Sequence, residues 1–277
     1  MAETDALTQL DTLVQVALRI AASAASGRIA LAKLAANLEP SWLPAPWDKT
    51  VWPELQRALE ARPEPLAFSV IKGVLAEADV ELDSLEREPV AVRWTSQVHR
   101  GVYDGRAVAV KVLRPGLAAS VRQDLVLLDG LLAPLANAFP GADIHGLLGE
   151  ARERVMDEFD LDNEASLQRR FWRALRRSDL VVVPEPLTAL SHEQVLVSEW
   201  IDGKSLSSGG SFGFATAAGT LLRFVLGGIR AGLMHCDLDA DDVLVLEDGR
   251  LAVLDYGAVA VVAEERADQC LAVVEAF

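Results

Sequence analysis

H-C-D-L-D-A-D-D-V-L-V-L-E-D-G-R-L-A-V-L-D-Y-G, residues 235–257, is the stretch of this chain that decides its fold. An acidic loop is followed by a short apolar run, an acidic-Gly turn at residues 247–249, and a second apolar run that ends in D-Y-G. An acidic-Gly turn between two apolar runs is typical of a β-hairpin. Such a hairpin would bring Asp255 back beside Asp237.

The order of the acids in this stretch matches the catalytic floor of kinase-like phosphotransferases. There, one Asp meets the acceptor hydroxyl, a side chain five residues later binds metal, and the Asp of a D-[FY]-G triplet binds the Mg²⁺ that bridges the phosphates. The pattern assigns these roles to Asp237, Asp242 and Asp255. Kinases have Asn at the position of Asp242. The alternative interpretation is a solvated acidic loop between two strands.

The run G-R-A-V-A-V-K-V, residues 105–112, contains a candidate phosphate-binding lysine. Its valines alternate with Ala and Lys, as a half-buried strand requires. An Asp104-Gly105 turn precedes it and predicts a hairpin with the strand before. V-A-V-K fits the strand lysine that pairs with the inner phosphates, here Lys111. The alternative is a lone lysine on an edge strand.

The run M-D-E-F-D-L-D-N-E-A, residues 156–165, contains the candidate acid for that lysine. We expect it to lie in one helix that extends over about residues 144–177. A kinase-like site needs a Glu on a helix to hold the strand lysine, and this segment would supply it. Acids spaced four apart would share a helix face, which pairs Glu158 with Asp162 and Asp160 with Glu164. The alternative is an exposed acidic helix face.

Together these motifs resemble the UbiB (AarF-domain) family of atypical kinases, over roughly residues 27–266. The matching stretches are P-V-A-V-R-W-T-S-Q-V-H-R-G, V-A-V-K-V-L-R-P-G, E-F-D-L-D-N-E-A, V-L-V-S-E-W-I-D-G, H-C-D and L-D-Y-G. The family's own catalytic loop reads H-x-D-x-x-P-x-N. The resemblance implies an α+β, two-lobed protein-kinase-like fold with an N-terminal helical extension. It also implies Mg²⁺ and ATP or ADP as cofactors. The expected role is in isoprenoid-quinone or other lipid biosynthesis with a partner from that pathway, and ATP hydrolysis or small-molecule phosphorylation is favoured over protein phosphorylation.

The resemblance also assigns site residues. It makes Lys111, Glu158 and Asp237 catalytic, with Glu158 paired to Lys111 and Glu164 as the trailing acid of the same motif. Further residues implied are the metal ligands Asp255 and Asp242, the adenine-facing hinge Glu199, Trp200 and Ile201, and Lys33 at the lysine of the family's K-x-G-Q motif.

Two of the family's motifs are altered in this chain. K-x-G-Q reads Lys33-Leu34-Ala35-Ala36, and the Ala-rich loop A-A-A-S reads Ala91-Val92-Arg93-Trp94. That loop covers the phosphates, where small residues let backbone N–H groups approach. Arg93 would therefore either add a nucleotide contact or, together with Trp94, plug the pocket.

Length and composition narrow the classes of function. The chain has 277 residues, 51% hydrophobic residues and a net charge of −15. It is long enough to bury a core, and its charge argues against nucleic acid and against electrostatic attraction to anionic lipid. Two cysteines are too few for a disulfide framework. The acidic N-terminus is not typical of a signal peptide. Arginine and lysine residues interrupt the N-terminal apolar run and the apolar run at residues 212–234, so we expect no transmembrane segment. We therefore expect a cytoplasmic protein, peripheral to the membrane at most.

The expected organisation is an N-terminal helical extension at residues 1–86, a kinase-like N-lobe at 87–202 and a C-lobe at 203–277. The C-lobe would be small or truncated, because few residues follow Gly257 and no A-P-E motif is among them. Three functions compete. They are an active atypical kinase or ATPase, a pseudokinase scaffold favoured by Arg93 and Trp94, and a small-molecule kinase of the aminoglycoside-phosphotransferase kind.

Overall fold

The structure is a computed structural model that describes residues 40–42, 47–53, 56–57, 63–126, 144–208 and 213–275. Residues 1–39 of the predicted N-terminal helical extension, Lys33 among them, lie outside the described residues. In chain order the described strands are β1 Ser84–Leu85, β2 Ala91–Val92, β3 Ser96–Tyr103, β4 Arg106–Leu113, β5 Val181–Val182, β6 Val195–Glu199, β7 Lys204–Ser205, β8 Leu233–His235, β9 Val243–Val245, β10 Leu251–Val253 and β11 Val259–Val261.

Helices alternate with these strands. The α-helices with described bounds are α1 Trp47–Thr50, α2 Phe68–Glu77, α3 Ile144–Asp157, α4 Leu161–Leu175, α5 Phe214–Arg230 and α6 Glu264–Glu275. Residues 117–126 are also helical. Three 3₁₀ turns are described, η1 Pro40–Trp42, η2 Leu206–Ser208 and η3 Ala240–Asp242.

The first sheet has the strand order β1-β3-β4-β6, and β2 pairs with β3. The predicted turn between β3 and β4 is confirmed, since Asp104 and Gly105 both have positive φ, at 49° and 70°. Positive φ at both central residues gives a type I′ turn, whose backbone twist matches the twist of the two strands in a hairpin. Alternation along β4 is confirmed as well, because Val108, Val110 and Val112 are buried. Lys111 therefore points to the opposite face of the sheet.

Two smaller sheets carry the acidic stretch. One has the order β5-β10-β9-β7 and the other pairs β11 with β8. The predicted hairpin between residues 243 and 253 is confirmed, with β9 antiparallel to β10 and Gly249 at φ 83° in the turn. Beneath the acidic stretch lies an apolar cluster in which the ring of Phe171 stacks on Phe224 at 5.2 Å and tilts against Tyr256 at 5.3 Å.

The single helix predicted over residues 144–177 is wrong, because the chain leaves the helix between α3 and α4. Asp160 has φ −125° and ψ 83°, and its carboxylate accepts the backbone N–H of Asn163 at 2.9 Å. An acid that caps a helix must itself stand outside the helical conformation. Asp160 therefore starts a new helix, and the predicted face shared by Asp160 and Glu164 does not exist.

The chain divides into two compact units. One comprises Met1–Leu66, Val92–Gln97 and Leu113–Phe159, and the other comprises Ala67–Ala91, Val98–Val112 and Asp160–Phe277. The second unit contains Lys111 and the whole acidic stretch. The domain boundaries predicted after residues 86 and 202 stay predictions.

Candidate active site

Lys111 lies at the centre of an ion cluster on β4. Its Nζ donates to both carboxylate oxygens of Glu164, each at 2.8 Å. It also lies 3.7 Å from Oδ2 of Asp255. One cation therefore sits between a buried acid from α4 and an acid from the D-Y-G triplet. The cluster joins a strand of the first sheet to the end of β10.

Burial dominates the electrostatics of Glu164. The side chain is only 3% exposed. Burial raises the pKa of Glu164 to about 7, and the negative charge of Asp255 adds to that rise. The charge of Lys111 and a hydrogen bond from the Tyr256 backbone oppose it. Lys111 and the Tyr256 backbone thus offset only part of the desolvation cost of the ionised Glu164 carboxylate.

The acid that the structure places on Lys111 is Glu164, and the pairing predicted for Glu158 stays a prediction. Glu158 follows the end of α3 in the break before Asp160, whereas Glu164 lies in the first turn of α4. The buried side chains of α4 follow helical spacing and include Leu161, Glu164, Ala165, Gln168 and Phe171. An acid within a mostly apolar stripe was the sequence signal that could have identified Glu164.

Two backbone pairings bring the three predicted site aspartates together. Leu254 N–H donates to the carbonyl of Asp242 at 2.9 Å, which places Asp242 next to the strand end that carries Asp255. Cys236 N–H donates to the carbonyl of Ala258 at 2.9 Å, which holds the loop of Asp237 against the residues after D-Y-G. Both pairings are hydrogen bonds between backbone groups. Together they bring Asp237, Asp242 and Asp255 to one region of the second unit.

The buried ring of His235 contacts the backbone of the loop that carries Asp237. Burial lowers the pKa of His235, so the neutral ring is favoured. Its Nε2 lies 2.6 Å from the carbonyl oxygen of Asp255, and the Asp237 N–H approaches its Nδ1 at 3.4 Å. A neutral ring satisfies both contacts when Nε2 carries the proton and Nδ1 accepts. His235 thereby ties the backbones of Asp237 and Asp255 together, a role that the sequence analysis did not assign.

The predicted hinge follows β6. The side chain of Glu199 accepts the N–H of Glu185 at 3.3 Å, and the N–H of Trp200 donates to the carbonyl of Ala107 at 3.2 Å. The indole of Trp200 donates to Asp202 at 2.8 Å, and the guanidinium of Arg100 lies 5.1 Å from the centre of its ring. These polar groups are occupied within the fold. The adenine-facing role of Glu199, Trp200 and Ile201 stays a prediction.

Arg93 lies in the first unit, in a tight turn whose N–H donates to the carbonyl of Ser96 at 2.8 Å. Arg114 supports that turn, with Nε donating to the Arg93 carbonyl at 3.1 Å and Nη2 donating to the Glu64 carbonyl at 2.7 Å. The predicted phosphate loop is therefore an ordered turn. Whether Arg93 contacts nucleotide stays a prediction, as does the role of Lys33.

The carboxylates of Asp242 and Asp255 are the residues to compare with the ligands that a magnesium nucleotide requires. Mg²⁺ is usually bound through one or two carboxylates, with phosphate oxygens and water completing the shell. Asp242 and Asp255 are two such carboxylates on adjacent backbone. Within the described ranges, no three or more His, Cys, Asp or Glu side chains gather into a group that could hold a metal ion. The two carboxylates of Asp242 and Asp255 match the share of the shell that protein supplies to a phosphate-bound Mg²⁺.

Comparison with known proteins identifies the family. The model of the ABC1 atypical kinase-like domain matches residues 54–277. The chain is 31% identical over 229 residues to Protein ACTIVITY OF BC1 COMPLEX KINASE 3, chloroplastic, of Arabidopsis thaliana, which covers 76% of this chain and 31% of that protein. It is 28% identical over 200 residues to AarF domain-containing protein kinase 1 of Mus musculus, which covers 68% of this chain and 38% of that protein.

A solved structure agrees with these relatives. It is described as the complex of Rv3197 with erythromycin from Mycobacterium tuberculosis, with a TM-score of 0.62 and 30% identity, and the match covers 83% of this chain and 60% of that chain. The predicted α+β kinase-like fold is thereby confirmed. This chain spans about a third of the length of the two curated relatives above. None of the helices within the described ranges has the length and apolar character to cross a membrane. The chain belongs to the ABC1 (AarF) family of atypical kinase-like proteins.

Proposed function

We propose that this chain binds a magnesium adenine nucleotide and acts as an atypical kinase-like phosphotransferase or ATPase in lipid or isoprenoid-quinone metabolism. The observation that carries the proposal is the position of Lys111. Both Glu164 oxygens hold its Nζ at 2.8 Å, and Asp255 lies 3.7 Å away. A lysine held between a helical acid and the D-Y-G aspartate is what phosphoryl transfer requires of this fold.

Each residue then has a role suited to its surroundings. Lys111 binds phosphate oxygens, and Glu164 keeps its ammonium group pointed at them. The exposed carboxylate of Asp237 accepts the proton of an acceptor hydroxyl or of water, while His235 orients its backbone. Asp242 and Asp255 would hold Mg²⁺, which supplies charge neutralisation on the phosphates when bound.

The test is the thermal midpoint of the purified protein with Mg-ATP, with Mg-ADP, with nucleotide plus chelator, and with no nucleotide. A ligand that binds the folded state must raise the midpoint. We expect both magnesium nucleotides to raise it and the chelator to reduce the shift. No shift at millimolar Mg-ATP would leave the pseudokinase scaffold as the better interpretation.

Two variants separate the metal site from general effects of charge. Asp255→Asn removes a metal ligand and should abolish the magnesium dependence of the shift while the fold is retained. Asp268→Asn makes the same chemical change at an exposed position of α6 and should behave as wild type. Equal shifts in the two variants would contradict the assignment of Asp255.

Arg93 and Trp94 decide between a working and a blocked site. If Arg93 clamps phosphate, as its fork geometry suits, the double variant Arg93→Ala with Trp94→Ser binds nucleotide more weakly. If the pair fills the pocket, the same double variant binds more tightly. We favour the clamp, because the cluster of Lys111, Glu164 and Asp255 would be costly to maintain around a dry, plugged pocket. Unchanged affinity would contradict both versions.

A second candidate is binding of a small organic molecule. It is supported by the structural relative, which is described as a complex with erythromycin. The aminoglycoside-phosphotransferase type of catalytic loop, H-x-D-L, is also present at residues 235–238. Erythromycin is therefore added as a further arm of the thermal experiment, with and without Mg-ATP. A shift that requires both ligands would favour a small-molecule kinase over a lipid-pathway enzyme.

A further inference from the structure

A cluster of hydroxyl groups joins the segment after the hinge to the catalytic loop. Ser205 ends β7, and Ser207 lies in η2 directly after it. The hydroxyl of Ser207 donates to the carboxylate of Asp241, which lies in η3 between Asp237 and Asp242. The hydroxyls of Ser205 and Ser207 are 2.8 Å apart. Side chains that are 34 residues apart in sequence therefore meet at this point.

The direction of each hydrogen bond follows from counting protons. The Ser207 hydroxyl gives its single proton to Asp241, so it must accept from Ser205. The Ser205 oxygen in turn accepts the Ser207 backbone N–H at 3.2 Å. The alternative acceptor for the Ser205 proton, the Ala240 carbonyl, is more distant at 3.4 Å. A directed chain of hydroxyls thus ends on a carboxylate, and hydrogen bonds to a charged group are the stronger kind.

The carboxylate at the end of this chain belongs to the turn that presents a metal ligand. In η3 the Asp241 N–H donates to the Asp239 side chain at 3.0 Å, and the Asp242 N–H donates to the Asp239 carbonyl at 3.1 Å. Holding Asp241 from outside therefore limits the freedom of Asp242, whose carbonyl pairs with Leu254 next to Asp255. The side-chain contacts of Asp239 and Asp241 are exposed to solvent, so hydrogen bonds and not burial hold the loop.

We propose that Ser207, supported by Ser205, is a positioning residue that fastens the catalytic loop to the segment after the hinge through Asp241. This inference rests on the proposed function for the roles of Asp237 and Asp242. On this proposal, the order of η3, which carries Asp242, depends on the hydroxyl of Ser207 in η2. A different change that stiffens η3 should then be able to replace that hydroxyl.

The backbone shows where such a replacement fits. Asp239 has φ −99° and ψ 145°, the extended conformation that a residue before proline adopts. Ala240 is the first residue of η3, where φ is near that of proline and the N–H has no partner within the turn. Proline also stands at this position in the family's loop pattern quoted above. Ala240→Pro should therefore stiffen the turn without strain.

The experiment compares Ser207→Ala, Ala240→Pro and the double variant with wild type. Ser69→Ala serves as the matched control, since Ser69 is an exposed serine of α2. Two quantities are measured, the hydrogen exchange of the Asp241 and Asp242 amides without nucleotide and the dissociation constant of Mg-ADP. We expect Ser207→Ala to speed the exchange and to weaken Mg-ADP binding about fivefold, the size of effect that one exposed hydrogen bond allows. Ala240→Pro should restore both quantities in the double variant.

A double-mutant cycle covers the case in which the proline variant does not fold. Ser207→Ala and Asp241→Ala remove the two ends of one contact, so their effects on amide exchange should not add. Additive effects would overturn the proposal. So would exchange and affinity in Ser207→Ala that match the Ser69→Ala control, or an Ala240→Pro single variant that behaves as wild type while the double variant stays weak.

The two hypotheses fail in different ways. If wild type does not bind Mg-ADP, the proposed function fails, and the exchange measurements still decide whether Ser207 orders the turn. If wild type binds Mg-ADP with unchanged affinity in Ser207→Ala, the positioning role fails and the proposed function stands.

Discussion

Glu164 and the loop of residues 237–242 both place acidic groups in the second unit, but Glu164 is buried and most acids of the loop are exposed. Glu164 is 3% exposed and pairs with the cation of Lys111. Asp237, Asp239 and Asp241 are exposed, and the side chains of Asp239 and Asp241 accept a backbone N–H and the Ser207 hydroxyl, respectively. Burial shifts the pKa of the first acid strongly upward. The comparison shows that this site combines one acid held by a charge in the interior with several acids held in position by backbone and hydroxyl groups at the surface.

The largest effect should come from removing the cation of the buried pair. Lys111→Met leaves Glu164 without its charge partner in the interior, and we expect it to lower the free energy of unfolding by about 3 kcal/mol. Urea denaturation measures this. Lys72→Met is the matched control, since Lys72 is an exposed lysine of α2 and its loss should cost less than about 0.5 kcal/mol.

A second variant shows whether the loss comes from the orphaned charge. Adding Glu164→Gln to Lys111→Met removes the uncompensated acid and should recover a large part of the lost stability. If the double variant is less stable than Lys111→Met alone, the Lys111 side chain contributes through packing and the buried charge is not the cause.

The apolar floor beneath the exposed loop can be broken without any change in charge. A Cβ added at Gly228 would lie 2.7 Å from Cε1 of Phe171 and 2.9 Å from the Leu233 carbonyl oxygen. Backbone has little room to move, so Gly228→Ala should lower the free energy of unfolding by about 1–3 kcal/mol. Gly73→Ala in α2 meets no atom within 4 Å and should raise it by about 0.5–1 kcal/mol. Calorimetry should find opposite signs; a loss in both would contradict the assigned cause.

The pH dependence of stability sharpens the same contrast. The pKa of Glu164 is about 7 in the folded protein against 4.5 for the unperturbed group. Between these values the folded state binds more protons than the unfolded state, so the contribution of Glu164 to stability decreases as pH rises from about 4.5 to about 7. The difference in unfolding free energy between wild type and Glu164→Gln should change in that window. Burial, Asp255 and Asp237 set the shifted pKa of His235, and Glu164 does not contribute to it, so the effect of His235 cancels in the difference. A flat difference would contradict the raised pKa.

The smallest effect should come from the exposed loop itself. Asp239→Ala removes the cap on the Asp241 N–H, and we expect a loss of global stability below about 1 kcal/mol because the contact is at the surface. Hydrogen exchange at Asp241 should nevertheless rise well above that of wild type, since local opening need not unfold the core. A global loss as large as that of Lys111→Met would show that the loop is coupled to the interior.

Much of the site could be predicted from local pattern. The alternation around Lys111, the turns at residues 104–105 and 247–249, and the order of acids in H-C-D and D-Y-G each follow from short-range chemistry. The helix break and the Lys111 partner could not be predicted from spacing alone, because helical periodicity allowed both Glu158 and Glu164. Local pattern does not show which of two acids faces a strand lysine that is about fifty residues away.

The sequence by itself determined the family, the hairpins, and the residue types of the candidate site, because these depend on turn chemistry, period-two alternation and motif order. The tertiary structure alone decided that Asp160 caps a new helix, that the buried Glu164 lies on Lys111, and that Ser207 reaches Asp241. Each of these depends on the packing of segments that are far apart in sequence, and burial and distance are properties of that packing.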